Sequence, residues 1–277
     1  MTRLPALFVS HGSPMIAVED DPWGRALAEF AGKLPKPRAA MVVSGHWEEP
    51  GPVRVTASPA PETMHDFGGF PEELYSIRYS ARGDPGLAAL TARLLEDSGF
   101  PAKTDPERGL DHGAWVPLRF LYPDADVPVV EISQPLRRNP EDALRMGAAL
   151  SRLRDQDVLL LGTGGVVHNL RKVDLADERG RVADWARAFD SWIAERLEAM
   201  DAAGIASYRT TAPHAELAVP TPDHFDPILV VLGSAIAGER VTTIHEGFRY
   251  GTLSMRSFAV GAAPAGGASR VRPSLTG

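Results

Sequence analysis

Hydrophobic positions along this chain follow two alternating patterns. Short, mostly apolar runs occupy residues 7–9, 39–43, 127–133 and 157–162, which is how strands buried on both faces read. Between them, apolar residues recur at helical spacing. Residues 22–34 put Trp23, Ala26, Leu27, Phe30 and Leu34 on or near one side, with Asp20 or Asp21 as N-cap. Residues 85–98 follow Asp84-Pro85 and stop at Gly99, and a helix over 139–154 opens on Asn139-Pro140. Residues 181–202 carry a core stripe of Trp185, Phe189, Trp192 and Leu197. A further helix is predicted over 223–237, beginning at His224, and a short one up to Leu121. Weaker strand patterns cover 53–57 and 74–79, while 241–245 and 253–260 read as closing strands. Residues 261–277 are rich in Gly, Ala, Ser and Pro and predict a disordered tail. Strands alternating with helices predict one α/β domain over 1–260, with a central mixed, mostly parallel sheet flanked by helices. In such folds ligands bind at the C-terminal ends of the strands.

Polar residues interrupt the pattern where those strands end. The first run ends in Ser10-His11-Gly12-Ser13-Pro14, and the second in Ser44-Gly45-His46-Trp47. Two strand-end histidines, each beside Ser and Gly, point to one shared metal or acid–base site. Of the eight histidines, His65, His112, His168 and His224 also lie in loops rich in Gly, Pro and Asp. His214 shares a loop with His224, and His245 sits in a strand-like run and reads as structural. The turn Gly162-Thr163-Gly164-Gly165 lacks both the Lys-Ser/Thr of a P-loop and the spacing of a dinucleotide fingerprint. It reads as a tight turn passing a pocket. No Gly-x-Ser-x-Gly elbow of a serine hydrolase occurs.

Composition narrows the chemistry. The chain has no cysteine, which excludes disulfides, thiolate catalysis and Cys-ligated zinc. Any metal is held by His, Asp or Glu, a set that suits zinc, non-haem Fe(II) or manganese. A net charge of −7 argues against nucleic acid and anionic membranes as main partners. The first nine residues show no long apolar segment and no cleavage signal, so the expected location is cytoplasmic. The expected state is a monomer or small homo-oligomer.

Six motifs then occur in a fixed order: Ser10-His11-Gly12-Ser13-Pro14, Ser44-Gly45-His46-Trp47, His65-Asp66-Phe67 with Gly69-Phe70-Pro71, Leu110-Asp111-His112-Gly113-Ala114-Trp115, Val167-His168-Asn169-Leu170 and Pro220-Thr221-Pro222-Asp223-His224. In this the chain resembles the class III extradiol ring-cleavage dioxygenases of the DOPA dioxygenase type, over about residues 5–258. The resemblance implies one divalent metal held by His11, His46 and His224, with Fe(II) for activity and Zn(II) possible as purified. It implies an acid–base role for His168, which can also serve as an additional ligand in the resting state. His112 would act beside it, facing substrate or oxygen. The implied substrates are a small catechol-type aromatic and O2.

The residue types suit that chemistry. A catechol loses protons to chelate a metal, and a neutral imidazole can accept one. Three neutral histidines leave the metal's charge to balance the catecholate. His65, Trp47, Phe67 and Trp115, in the same loops, are expected to contact a flat ring. Asp66 is read as holding His65, Asp223 as capping the helix that follows, and Glu216 as pairing locally. One alternative is a zinc-dependent hydrolase on the same scaffold, with Glu48 or Glu49 activating a water. A non-enzymatic metal-binding module is the other, though it would not need so many ionisable groups.

Overall fold

The computed structural model describes residues 3–136 and 139–261. The tail expected from 261 onward lies, beyond Gly261 itself, outside the described residues. Ten strands are present among the described residues. They are β1 (Ala6–Ser10), β2 (Ala39–Glu49), β3 (Val53–Thr56), β4 (Ala102–Asp105), β5 (Val129–Pro135), β6 (Val158–Gly164), β7 (Val241–His245), β8 (Phe248–Arg249), β9 (Leu253–Ser254) and β10 (Ser257–Val260). Eight of them form one sheet in the order β4-β3-β5-β2-β6-β1-β10-β7, and β8 pairs with β9 apart from it. The central strands β5, β2, β6 and β1 are mutually parallel, with Val43 and Phe8 both opposite Gly162. β10 and β7 add antiparallel strands at one edge.

The apolar runs account for this arrangement. Every residue of β1 and β6 is buried, so these strands need cover on both faces. Helices supply it. One face is covered by α1 (Pro22–Ala31) and by α4 (His112–Leu121), which follows α2 (Glu72–Ser76) and α3 (Pro85–Asp97) in the chain. The other is covered by α3, α5 (Pro140–Leu150) and α6 (Asp184–Glu198), and, after the short α7 (Ala202–Ala206), α8 (Tyr208–Thr211) and α9 (Ala215–Ala218), by α10 (Asp226–Gly233). Caps set several boundaries: Asp21 accepts from Trp23 N, Asp84 from Leu87 N, and Asn139 forms a capping box with Asp142.

Several local expectations need correction. Residues 74–79 are not a strand. Pro71 and the acidic pair Glu72 and Glu73 instead open the one-turn helix α2, as suits a helix N-terminus. The edge strand β4 has no apolar pattern, because it is half-exposed and pairs on one side only. The last helix starts at Asp226, with Pro227 in its first turn, so His224 lies in the preceding turn. His46 lies inside β2 rather than beyond its end. Between the pairs Val43–Ile132 and Glu48–Gln134 the β2–β5 register shifts, and this bulge takes Ser44 to Trp47 out of the pairing with β5, while Ser44 still pairs with Thr163 of β6.

Candidate active site

The carboxyl ends of the central parallel strands converge on one cavity of about 610 Å³. Its floor is five imidazoles, His11, His46, His112, His168 and His224, each delivered by a different segment. His11 follows β1, and His46 rides the bulge of β2. His112 opens α4, and His168 follows the turn after β6. His224 reaches the floor because its turn packs directly on glycine: a Cβ on Gly164 would lie 2.0 Å from the His224 carbonyl oxygen. That oxygen accepts from Gly165 N at 2.9 Å.

Three of the rings point at one another. His46 Nε2 lies 3.2 Å from His11 Nε2 and 3.1 Å from His224 Nε2. Their opposite nitrogens are engaged elsewhere. His11 Nδ1 donates to the Gly12 carbonyl at 3.0 Å, His224 Nδ1 donates to the Asp223 carboxylate, and His46 Nδ1 lies 3.5 Å from Asp66 Oδ2. Anchoring at Nδ1 orients the His11 and His224 rings and turns each Nε2 inward, as in metal-ligating histidines with carboxylate or carbonyl partners. Three nitrogens so placed suit a single cation, and these residues are one of two metal-competent groups among the described residues. The other, His46, Asp66 and His112, overlaps it through His46.

Electrostatics agree with neutral imidazoles at His11 and His46. Burial, followed by the neighbouring histidines, holds His11 well below the ordinary imidazole range. The same causes take His46 down to about 3. Asp66 and Asp223 remain below the usual carboxylate range although burial opposes it, because Asp66 bonds His112 and Asp223 bonds His224. Thus Asp66 does not hold His65. It accepts from His112 Nδ1 at 3.0 Å and from His112 N at 2.9 Å. Likewise Asp223 orients His224 and does not cap α10. Sequence reasoning missed both partnerships.

It also missed a buried polar brace behind the floor. Asp111, the N-cap of α4, accepts from Ser44 Oγ at 2.8 Å, and Ser44 Oγ accepts from His46 N at 3.1 Å. Glu131 of β5 accepts from Asp111 N at 3.2 Å. Burial first, and the Asp111 carboxyl second, push Glu131 well above the usual carboxylate range.

His168 is half-buried and stacks on His224, while its backbone N–H donates to the Ala218 carbonyl at 3.0 Å. Burial and then His224 hold it well below the ordinary range. In this conformation it stands beside the converging group and is not part of it.

The family described as catalytic LigB subunit of aromatic ring-opening dioxygenase matches residues 5–261. The chain belongs to this family. It is similar to a 4,5-DOPA dioxygenase extradiol of Beta vulgaris, 39% identical over 91% of this chain and 94% of the relative. Another of the same name, from Escherichia coli K12, is 39% identical over 94% of this chain and 96% of its own length. Among solved structures, an uncharacterized protein from Escherichia coli K12, JW3007, superimposes with a TM-score of 0.80 at 35% identity, covering 94% of this chain and all of that one. The chain is thus an extradiol aromatic ring-opening dioxygenase.

In this dioxygenase the four aromatic residues expected to contact substrate are divided. Phe67 lines the cavity, joined by Phe70, Met15 and Tyr250. His65, Trp47 and Trp115 do not line it, because their polar ends are bound behind the wall. His65 Nε2 donates to Ile77 O at 3.2 Å, Trp115 Nε1 to Met64 O at 2.8 Å and Trp47 Nε1 to Glu49 at 3.0 Å. The zinc hydrolase alternative is not favoured, since the family and the relatives are dioxygenases. Glu49 is engaged by Trp47, and neither it nor Glu48 lines the cavity. Glu216 is exposed on α9, outside the metal-competent groups. No helix among the described residues is long and apolar enough to cross a membrane.

Proposed function

We propose that His11, His46 and His224 hold one divalent metal and that the enzyme opens the ring of a catechol-type aromatic, DOPA-like or a related ortho-dihydroxy compound. Convergence of the three Nε2 atoms, with the His11 and His224 rings anchored at Nδ1, carries this reading. Fe(II) is the metal for activity, and Zn(II) can occupy the site on purification because it stands above Fe(II) in the affinity series. A metal so held supplies Lewis acidity toward the catechol oxygens and a route for electrons from ring to dioxygen.

The chain's own residues handle positioning and protons. His168 takes a catechol hydroxyl proton on a ring nitrogen that faces the cavity and returns it to the opened product. His112, its Nδ1 held by Asp66, turns its other nitrogen toward substrate or oxygen. Phe67 offers an apolar face to the ring. Overall, the carbon–carbon bond beside the diol breaks and both atoms of O2 enter the product. The catalytic domain spans 1–260, acts as a monomer or small homo-oligomer, and is cytoplasmic; the lack of cysteine fits the last assignment.

The test replaces His11, His46 and His224 singly with Ala. Each variant should lose metal stoichiometry together with oxygen uptake and the yellow ring-fission product. Full metal binding in all three would place the metal elsewhere.

A further inference from the structure

Beyond the five histidines the cavity lining is mostly apolar, with Ser13, Asp66 and Tyr250 as its other polar side chains. Phe67 and Phe70 line the cavity, in edge-to-face contact at 5.3 Å. Leu170, Val173, Leu175 and Leu253 line it as well. Leu170 and Leu175 are 62% and 78% exposed, yet both face the same cavity. Exposed apolar side chains lining the mouth of a site are most simply explained by an apolar ligand that covers them.

The segment carrying Leu170 and Leu175 is also built to hold its position. It is tied to the turn after β8 by hydrogen bonds from Asp174 N to Tyr250 O at 3.0 Å and from Tyr250 N to Glu178 O at 2.7 Å. Arg249 bonds both Glu178 and Glu19, which fastens the same segment to the loop after β1.

No Lys or Arg among the described residues lines this cavity, and its one carboxylate, Asp66, is engaged by His112. A carboxylate on the substrate would thus gain no cationic side chain there, whereas an alkyl or aryl group would cover the exposed leucines.

We propose that this enzyme selects catechols bearing an uncharged, apolar substituent, held against Phe67, Phe70, Leu170 and Leu175. The proposal rests on the ring-cleavage reading above, and the test separates the two. Oxygen uptake by the Fe(II)-loaded enzyme is compared for 4-butylcatechol, 3,4-dihydroxyphenylacetate and L-DOPA. kcat/KM for 4-butylcatechol should exceed the other two by about ten-fold or more, the usual scale of discrimination by an apolar pocket. Leu175→Lys, at an exposed position that does not threaten folding, should narrow the gap to 3,4-dihydroxyphenylacetate. Equal or higher kcat/KM for either charged catechol overturns the proposal. Calorimetric titration of the iron-free protein with 4-butylphenol and 4-hydroxyphenylacetate reads the preference without turnover. Tighter binding of 4-butylphenol supports the apolar arm, and equal or reversed affinity overturns it. Preferred binding of 4-butylphenol with no oxygen uptake on any catechol keeps the apolar arm and rejects the ring-cleavage reading instead.

Discussion

The imidazole of His168 lies flat against that of His224, with ring centroids 3.7 Å apart and planes within 5°. The stack fixes His168 beside the converging histidines while leaving its ring nitrogens without a hydrogen-bond partner among the described residues. It is Asn169 that braces the turn, through Nδ2 to Leu217 O at 2.8 Å. A group so held is free to exchange a proton with a ligand.

His168→Gln should therefore keep metal and catechol binding while turnover falls roughly 10²–10⁴-fold, the usual worth of a positioned acid–base group. The acidic limb of the pH–rate profile should change as well. Unchanged turnover and an unchanged profile would remove His168 from the chemistry.

Asp223 acts through His224. Asp223→Asn weakens the Nδ1 anchor without removing a ligand, so metal affinity should fall about 10–100-fold, as measured by chelator competition. Affinity equal to that of the unmodified enzyme would show that the carboxylate does not orient the ring.

His112→Phe should retain the metal and lose most turnover, because His112 is not one of the three converging histidines and its own metal-competent group shares only His46 with theirs. Loss of metal with an intact circular dichroism spectrum would make His112 a ligand.

Glu131 makes stability depend on pH in an unusual direction for a carboxyl group. Burial and the Asp111 carboxyl raise it in the folded chain, whereas in the unfolded chain it ionises near 4.5. Above that pH only the unfolded state gains from ionisation, so this group's contribution to stability falls as pH rises toward the folded value. Glu131→Gln, neutral at every pH, should gain on the unmodified enzyme by up to about 1.4 kcal/mol per pH unit above 4.5. Urea unfolding at about pH 5 and about pH 8 checks this; a difference independent of pH would mean that Glu131 is not held protonated.

The parts of the fold legible in the sequence were those written in local pattern. Mostly apolar runs marked β1, β2, β5 and β6, and Asp21, Asp84 and Asn139 marked helix starts. The histidines of the floor stood out because Gly and Pro place them at element ends. Partners distant in sequence were not legible. Asp66 meets His112 across 46 residues, so its neighbour His65 looked like the simpler partner. Trp47 and Trp115 share motifs with floor histidines, but their indoles turn away to bind Glu49 and Met64. Nothing in a linear pattern indicates which way a side chain turns from a bulge or a helix start.

Ring opening by dioxygen at the three-histidine floor leaves its mark in the fate of the oxygen atoms. Fe(II)-loaded enzyme is supplied with ¹⁸O2 and 4-butylcatechol or L-DOPA, and the product is weighed by mass spectrometry with rapid trapping of exchangeable carbonyl oxygen. The account predicts a ring-opened product carrying both labelled atoms, formed by the unmodified enzyme and not by His11→Ala. A product with one labelled atom or none, or equal product from His11→Ala, would contradict it.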